Sequence, residues 1–212
     1  MKRKSTITPV EKNAFHYFED YFLNNSKKWE EKEVADEYAK IHDGAYQLIN
    51  RSNIRWHYYE KKCAVLRGRQ WKIEASFKCN STETSNQFGL VWGFDKHHDV
   101  LNRFSLAADG KAFSIVCFER NHHRIYHRFY SGDMKLSTKI YFKMSIERNI
   151  DYFYFKIDGC ILYVCHAVHF LNFGNRFGFY IEPDLSVQCN HVICTKLEAL
   201  DETRQNPQPR FR

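Results

Sequence analysis

Tyr152-Phe153-Tyr154-Phe155-Lys156-Ile157-Asp158-Gly159-Cys160-Ile161-Leu162-Tyr163-Val164-Cys165 reads as two short strands folded back on a tight turn. Aromatic and β-branched side chains recur on both sides of Asp158-Gly159, and glycine accepts the positive φ that a two-residue hairpin turn demands. The same pattern extends outward in both directions. Upstream, period-two alternation predicts strands over Phe15–Phe22, Ala45–Asn50, Ile54–Glu60, Gln70–Cys79, Phe88–Phe94, Leu101–Ala107, Ala112–Glu119, Arg124–Tyr130 and Ile140–Glu147. Downstream it predicts Arg176–Ile181 and Val187–Leu197, beyond the pair Tyr152–Ile157 and Ile161–His166. Asp43-Gly44 and Asp109-Gly110 read as further turns of the two-residue kind. Thirteen short strands with few helices predict an all-β fold, a two-sheet antiparallel sandwich or jelly roll. One segment, Trp29–Ile41, is ambiguous. Its Trp29, Val34, Tyr38 and Ile41 recur at near-helical spacing, while its many charges fit an extended, solvated excursion.

The chain has 212 residues, 43% of them hydrophobic and 17% aromatic. That length suits one domain, and the apolar share can fill a core, which excludes a wholly disordered chain. Eighteen Phe, thirteen Tyr and four Trp favour strands over helices. The expected division is a flexible segment over 1–13, the sandwich over 14–199 and a disordered tail over 200–212. The formal charge of +7 is moderate. Its cations alternate with apolar residues, as at Arg51, Arg55, Arg67, Arg69, Lys72 and Lys78. Outward strand faces have this pattern, so a specific nucleic-acid site is not expected. Neither a membrane-spanning apolar run nor a secretory leader is visible. Seven cysteines, at 63, 79, 117, 160, 165, 189 and 194, form no compact framework. A reducing, cytoplasmic location is the resulting expectation.

Three stretches carry a resemblance. Phe18-Glu19-Asp20-Tyr21-Phe22 precedes Asn24-Asn25-Ser26 and Trp29; then comes Ala39-Lys40-Ile41-His42-Asp43-Gly44-Ala45-Tyr46-Gln47-Leu48. Ile73-Glu74-Ala75-Ser76-Phe77-Lys78 leads into Gln87-Phe88-Gly89-Leu90-Val91-Trp92-Gly93-Phe94-Asp95. This order resembles bacterial concanavalin A-like (laminin G-like) jelly-roll domains, a group with modules related to family 16 glycoside hydrolases and keto-disaccharide hydrolases. The resemblance spans roughly residues 15–198 and implies the fold; the quoted residues look architectural rather than catalytic.

A family 16 hydrolase carries an E-x-D-x-E pattern, which sets nucleophile and acid about 5 Å apart on one strand face. Glu74 stands alone on its strand, flanked by Lys72 and Ser76, so a non-catalytic module is expected. Eleven His and seven Cys prompt a search for metal. Cys160, Cys165, His166 and His169 form the densest group, followed by Cys189, His191 and Cys194, with Cys189 and His191 expected on one strand face. No C-x-x-C knuckle is present, which speaks against zinc. No metal or other cofactor is therefore assigned, calcium at Asp95, Asp99 or Asp184 being the one cation weighed from loop oxygens. The most unusual surface run is His122-His123-Arg124-Ile125-Tyr126-His127-Arg128-Phe129-Tyr130. Alternation would set Arg124, Tyr126, Arg128 and Tyr130 on one side, a set able to stack on sugars, on bases or on a partner's acidic surface. With Glu74 these are the candidate binding residues. The sequence thus leads to a recognition module whose partner is another protein or a glycan. A cytoplasmic assembly subunit is the first reading and a lectin-like carbohydrate-binding domain the alternative; a glycan-processing enzyme with an unrecognised site is the third.

Overall fold

The computed structural model describes residues 14–81, 84–95, 100–119, 122–130, 136–170 and 174–197. The expected flexible ends, 1–13 and 200–212, lie outside the described residues, as does Asp99. Among the described residues, the first eight strands are β1 (Ala14–Asp20), β2 (Lys32–Val34), β3 (Glu37–His42), β4 (Ala45–Asn50), β5 (His57–Lys62), β6 (Trp71–Cys79), β7 (Gln87–Asp95) and β8 (Val100–Ala107). They are followed by β9 (Ala112–Glu119), β10 (His122–Tyr130), β11 (Phe142–Arg148), β12 (Tyr152–Ile157), β13 (Cys160–His166), β14 (Arg176–Ile181) and β15 (Leu185–Leu197).

All thirteen expected strands are present, their ends displaced by three residues or fewer. The largest displacement is at β5, because Ile54 and Arg55 belong to a turn instead. The segment Trp29–Ile41 forms no helix. Its backbone groups go to the ladder between β2 and β3 and to that between β3 and β4, while Asn25 Oδ1 accepts from Trp29 N at 2.7 Å and turns the indole inward. Asp43-Gly44 and Asp158-Gly159 are two-residue hairpin turns with both residues at positive φ (52° and 69°, 46° and 79°), the geometry that suits the twist of the flanking strands. Asp109-Gly110 differs from expectation. It lies in a four-residue connection, 108–111, in which Gly110 N donates to Ala107 O at 2.9 Å.

The strands make two antiparallel sheets. One runs β13-β12-β11-β6-β15-β4-β3-β2 with β1 also paired to β15, and the other runs β10-β9-β8-β7-β14-β5. The thirteen-residue β15 organises the larger sheet. One side of it pairs with β6; the other takes β4 along Leu185–Cys189 and β1 along Val192–Leu197. Alternation along β6 sends Trp71, Ile73, Ala75 and Phe77 into the space between the sheets, where they are buried against Phe88, Phe104, Phe155 and Phe179. Each of the larger of these side chains contributes about 1.5–3 kcal/mol by leaving water, and the Ala75 methyl less. Much of the aromatic excess is consumed here, with Trp29 stacked on Phe179 at 5.0 Å and Phe77 edge-on to Phe179 at 5.6 Å.

Candidate ligand site

The connection between β4 and β5 is a latched turn. Asn50 Nδ2 donates to Arg55 O at 2.7 Å, and Asn50 Oδ1 accepts from Ser52 N at 3.0 Å. Ser52 Oγ accepts from Arg55 N at 2.7 Å and from Ile54 N at 3.2 Å. Side-chain oxygens thus replace the ladder partners that the turn backbone lacks. Arg51 N donates to Asp36 O at 2.8 Å, joining this turn to the β2–β3 hairpin. Between them lies a cavity of about 600 Å³ lined by Asp36, Glu37, Arg51, Asn53, Arg55 and His57 among others.

Glu37 anchors the floor and is 7% exposed. Tyr59 OH donates to its Oε1 at 2.7 Å, Lys32 Nζ stands 3.3 Å from Oε2, and His57 Nδ1 faces Oε1 at 3.6 Å. Burial, and then the bond to Glu37, push the Tyr59 phenol far above its ordinary pKa, so it stays a donor. With Nδ1 turned to the carboxylate, His57 Nε2 is left at the wall as a buried nitrogen without a hydrogen-bond partner. Arg51, Asn53 and Arg55 are exposed at the mouth. Forked guanidinium donors, an amide and two carboxylates therefore converge on one space, a mixture of donors and acceptors that matches vicinal hydroxyls.

Beside the cavity, Trp56, just ahead of β5, and Tyr58 within it lie on the outward face of the six-stranded sheet. Trp56 is 45% exposed, with its ring 5.6 Å from Tyr58 and 5.8 Å from Tyr180. Tyr58 packs on Phe94 at 5.0 Å, and the Arg103 guanidinium lies 4.2 Å over Tyr180. Phe94 reaches this face because the β7 register shifts between Trp92 and Asp95. Below them the Ser105 and Ser114 hydroxyls both donate to Gln87 Oε1, at 2.8 and 2.6 Å.

The residues expected from sequence fall elsewhere. Glu74 sits on the outward face of the nine-stranded sheet, with Lys72 Nζ 2.5 Å from Oε2 and Lys143 Nζ 3.3 Å from Oε1. Burial works to raise its pKa, but the hydrogen bond and charge of Lys72, aided by Lys143, outweigh burial and hold it below the usual 4.5. A depressed carboxylate pKa contributes stability above the unfolded value and loses it as pH falls through the folded one. Glu74→Gln is accordingly expected to cost up to about 1 kcal/mol at neutral pH. Thermal unfolding of both proteins at pH 7 and pH 3 checks this: the gap should close in acid, and a gap equal at both would contradict the ion-pair account. Arg124, Tyr126, Arg128 and Tyr130 lie on β10, at the edge of the other sheet, so they do not join Glu74. Their side chains lie outside the described residues. The β10 register shifts between Ile125 and His127, so Arg124 stands opposite Cys117 while Arg128 stands opposite Ser114, and the count by two does not run unbroken through the four.

A similar shift between Cys189 and His191 corrects the expectation that these two share a face: Cys189 is fully buried, whereas His191 belongs to the outer side with Ser76 and Lys143. Among the described residues no three His, Cys, Asp or Glu side chains gather to hold a metal ion, and no helix is long and apolar enough to cross a membrane.

No protein-family model matches the chain, and no curated protein does. Solved structures do. The laminarinase catalytic domain from Thermotoga maritima superposes with a TM-score of 0.61 at 10% identity, over 88% of this chain and 99% of that one. The fold is a concanavalin A-like jelly roll. A Bacillus subtilis protein of unknown function with a galectin-like fold is similar to this jelly roll at a TM-score of 0.63 and 10% identity, over 89% and 99% of the two chains. A family 16 endo-glucanase from Bacteroides ovatus gives 0.57 at 12% identity, over 84% and 99%. Identities this low establish a shared jelly-roll architecture related to that of family 16 glycoside hydrolases, and no more.

The pocket residues escaped the sequence reading. Glu37 and His57 are twenty positions apart on different sheets, and neither stands in a motif. The one local signal was Asn50-Arg51-Ser52-Asn53, a cluster of turn-forming polar residues where strand Ile54–Glu60 was expected to begin.

Proposed function

We propose that the protein is a carbohydrate-binding module that holds a glycan, without cleaving it, in the pocket between the β2–β3 hairpin and the Asn50–Arg55 turn. The observation that carries this reading is the convergence of Asp36, Glu37, Arg51, Asn53, Arg55 and His57 on one cavity of about 600 Å³. Sugar hydroxyls are recognised by such planar, bidentate groups, and the exposed Trp56 nearby offers a ring for the apolar face of a pyranose. The jelly-roll fold supports the same class, since structures similar to it act on 1,3-β-glucan and mixed-linkage glucan. Glu74, the acid on the strand where a hydrolase motif was sought, has both carboxylate oxygens engaged by lysines, which supports binding without hydrolysis. The glycan reading is thereby preferred to the assembly subunit that the sequence put first.

The test is a glycan array containing β-glucan and mucin-type O-glycan oligosaccharides, followed by titration of the best ligand. Arg51→Ala/Arg55→Ala removes two exposed donors without touching the core. Bonds to charged donors contribute about 1.5–3 kcal/mol each, so the double variant should bind at least about tenfold more weakly. Failure of the wild type to retain any glycan would sink the proposal. Unchanged binding in the double variant would remove the pocket, and release of new reducing ends would overturn the non-catalytic part.

A further inference from the structure

We infer that Cys63 and Cys194 form a site of oxidative modification, at which a hydroperoxide converts the two thiols to a disulfide tying the six-stranded sheet to the nine-stranded one. The two residues come from opposite layers of the sandwich. Cys194 lies on β15, opposite Phe18 of β1 and Ile73 of β6, and is fully buried. Cys63 directly follows edge strand β5 of the other sheet and is 3% exposed. Its N–H donates to Asn175 O at 2.6 Å, and its carbonyl accepts from Leu66 N at 3.2 Å. The single 3₁₀ turn that Cys63 opens, Ala64–Arg67, buries Val65 and Leu66 and lies against β15. Both cysteines therefore belong to one core cluster, where their thiols share a hydrogen bond. Two anchored backbones whose sulfurs already meet can be bridged with little backbone movement. Cys79 and Cys189 are engaged differently, donating to the backbone carbonyls of Ser81 at 3.2 Å and His191 at 3.3 Å.

The two thiols are unequal, and the inequality sets the order of events. The hydrogen bond from Cys194 draws the Cys63 thiol below its ordinary pKa against the opposing push of burial. Burial, and then Cys63 itself, hold the Cys194 thiol well above its own. Access follows the same order. Only the turn after Cys63 covers it from solvent, and Ala64, Arg67, Gly68 and Arg69 there are exposed. Local opening of such a turn costs less than unfolding the domain and admits a molecule of peroxide's size. Cys194 stays in place on a strand paired on both flanks. The Cys63 thiolate attacks one peroxide oxygen, the O–O bond breaks, and the departing hydroxide takes up the thiol proton as water. Cys63 is then a sulfenic acid. The Cys194 sulfur attacks the Cys63 sulfur, the S–O bond breaks, and the hydroxide leaves with the Cys194 proton as a second water. Two thiols lose two electrons, and one peroxide gains them.

Cys160 is exposed and would react on its own account, so the test uses the full chain carrying Cys160→Ser, which leaves six of the seven cysteines. The folded protein is treated with hydrogen peroxide, quenched with catalase, denatured and alkylated, and its thiols are counted by mass. Two of the six should be lost, with peptides containing Cys63 and Cys194 joined and dithiothreitol separating them. The link closes a loop of more than a hundred residues, so the oxidised protein should melt on the order of 10 °C higher than the reduced one. Adding Cys194→Ala should stop the reaction at the Cys63 sulfenic acid, which dimedone traps; adding Cys63→Ala should leave Cys194 unmodified at the same dose. Retention of all six thiols, a link between other cysteines, or a link that forms only in urea overturns the inference. So does a linked protein that melts no higher than the reduced one. These readings need Cys160→Ser alone, so a poorly folding second variant does not obscure them, and none depends on glycan binding.

Discussion

Trp29→Ala is expected to destabilise the protein by about 3–5 kcal/mol, lowering its melting temperature by on the order of 10 °C. The indole stands at the meeting point of five rings. It stacks on Phe179 at 5.0 Å, lies 5.5 Å from Tyr46 and 5.6 Å from Phe22, and meets Phe177 and Phe18 edge-on at 6.1 and 6.2 Å. Its Nε1–H donates to Asp20 Oδ2 at 2.8 Å, while Asp20 Oδ1 accepts from Phe22 N at 2.8 Å. Asp20 is itself buried, so truncation opens a cavity and also strips a donor from a desolvated carboxylate. Trp29→Phe separates the two effects, keeping a ring while losing the donor; its cost should be about 1–3 kcal/mol. Denaturant midpoints of the three proteins decide. Equal losses in both variants would mean that the carboxylate bond dominates, and a loss below about 1 kcal/mol in Trp29→Ala would contradict the packing account.

Gly178→Ala should be as damaging for a different reason. A Cβ at this position would stand 1.7 Å from Tyr59 O and 2.9 Å from Glu60 Cα, so a single methyl would drive β5 away from β14. Insertions of this kind typically cost about 1–3 kcal/mol, and backbone on the receiving side puts this one at the upper end or above. If the protein holds a glycan as proposed, its affinity should fall with stability, because β5 carries both His57 and Tyr59. Gly159→Ala provides the contrast. Its added Cβ meets nothing within 4 Å, and only its φ of 79° is penalised, at about 1–2 kcal/mol. Urea unfolding of both variants distinguishes steric exclusion from backbone strain, and comparable small losses would show that β5 can shift freely.

What sequence made visible was what lies close together along the chain. The Asp158-Gly159 hairpin needs only its own residues and the alternation beside them, and it appears as expected. Bulges defeated the count. At Cys189/His191 and at Ile125/His127 one extra residue changes which positions stand opposite the neighbouring strand, and no side-chain pattern announces it. The β2–β3 hairpin was hidden because Trp29, Val34, Tyr38 and Ile41 mimic a helical period while serving separate purposes. The pocket was hidden for a topological reason, since Glu37 and His57 meet only after β3 and β5 have been assigned to opposite sheets.

The long strand β15 also dictates how the chain must be assembled. Its partners β1, β4 and β6 begin at residues 14, 45 and 71, so the middle of the larger sheet is closed by contacts spanning more than a hundred positions. Contacts of such sequence separation slow folding. During synthesis, β6 can pair with β11 once residue 148 has emerged, yet its other side stays open until β15 follows. Shortening the chain before Leu185 would leave β1 unpaired and β4 and β6 each open on one flank, turning interior strands into adhesive margins. Nascent chains stalled in that interval should need a holding chaperone, and full-length ones should not.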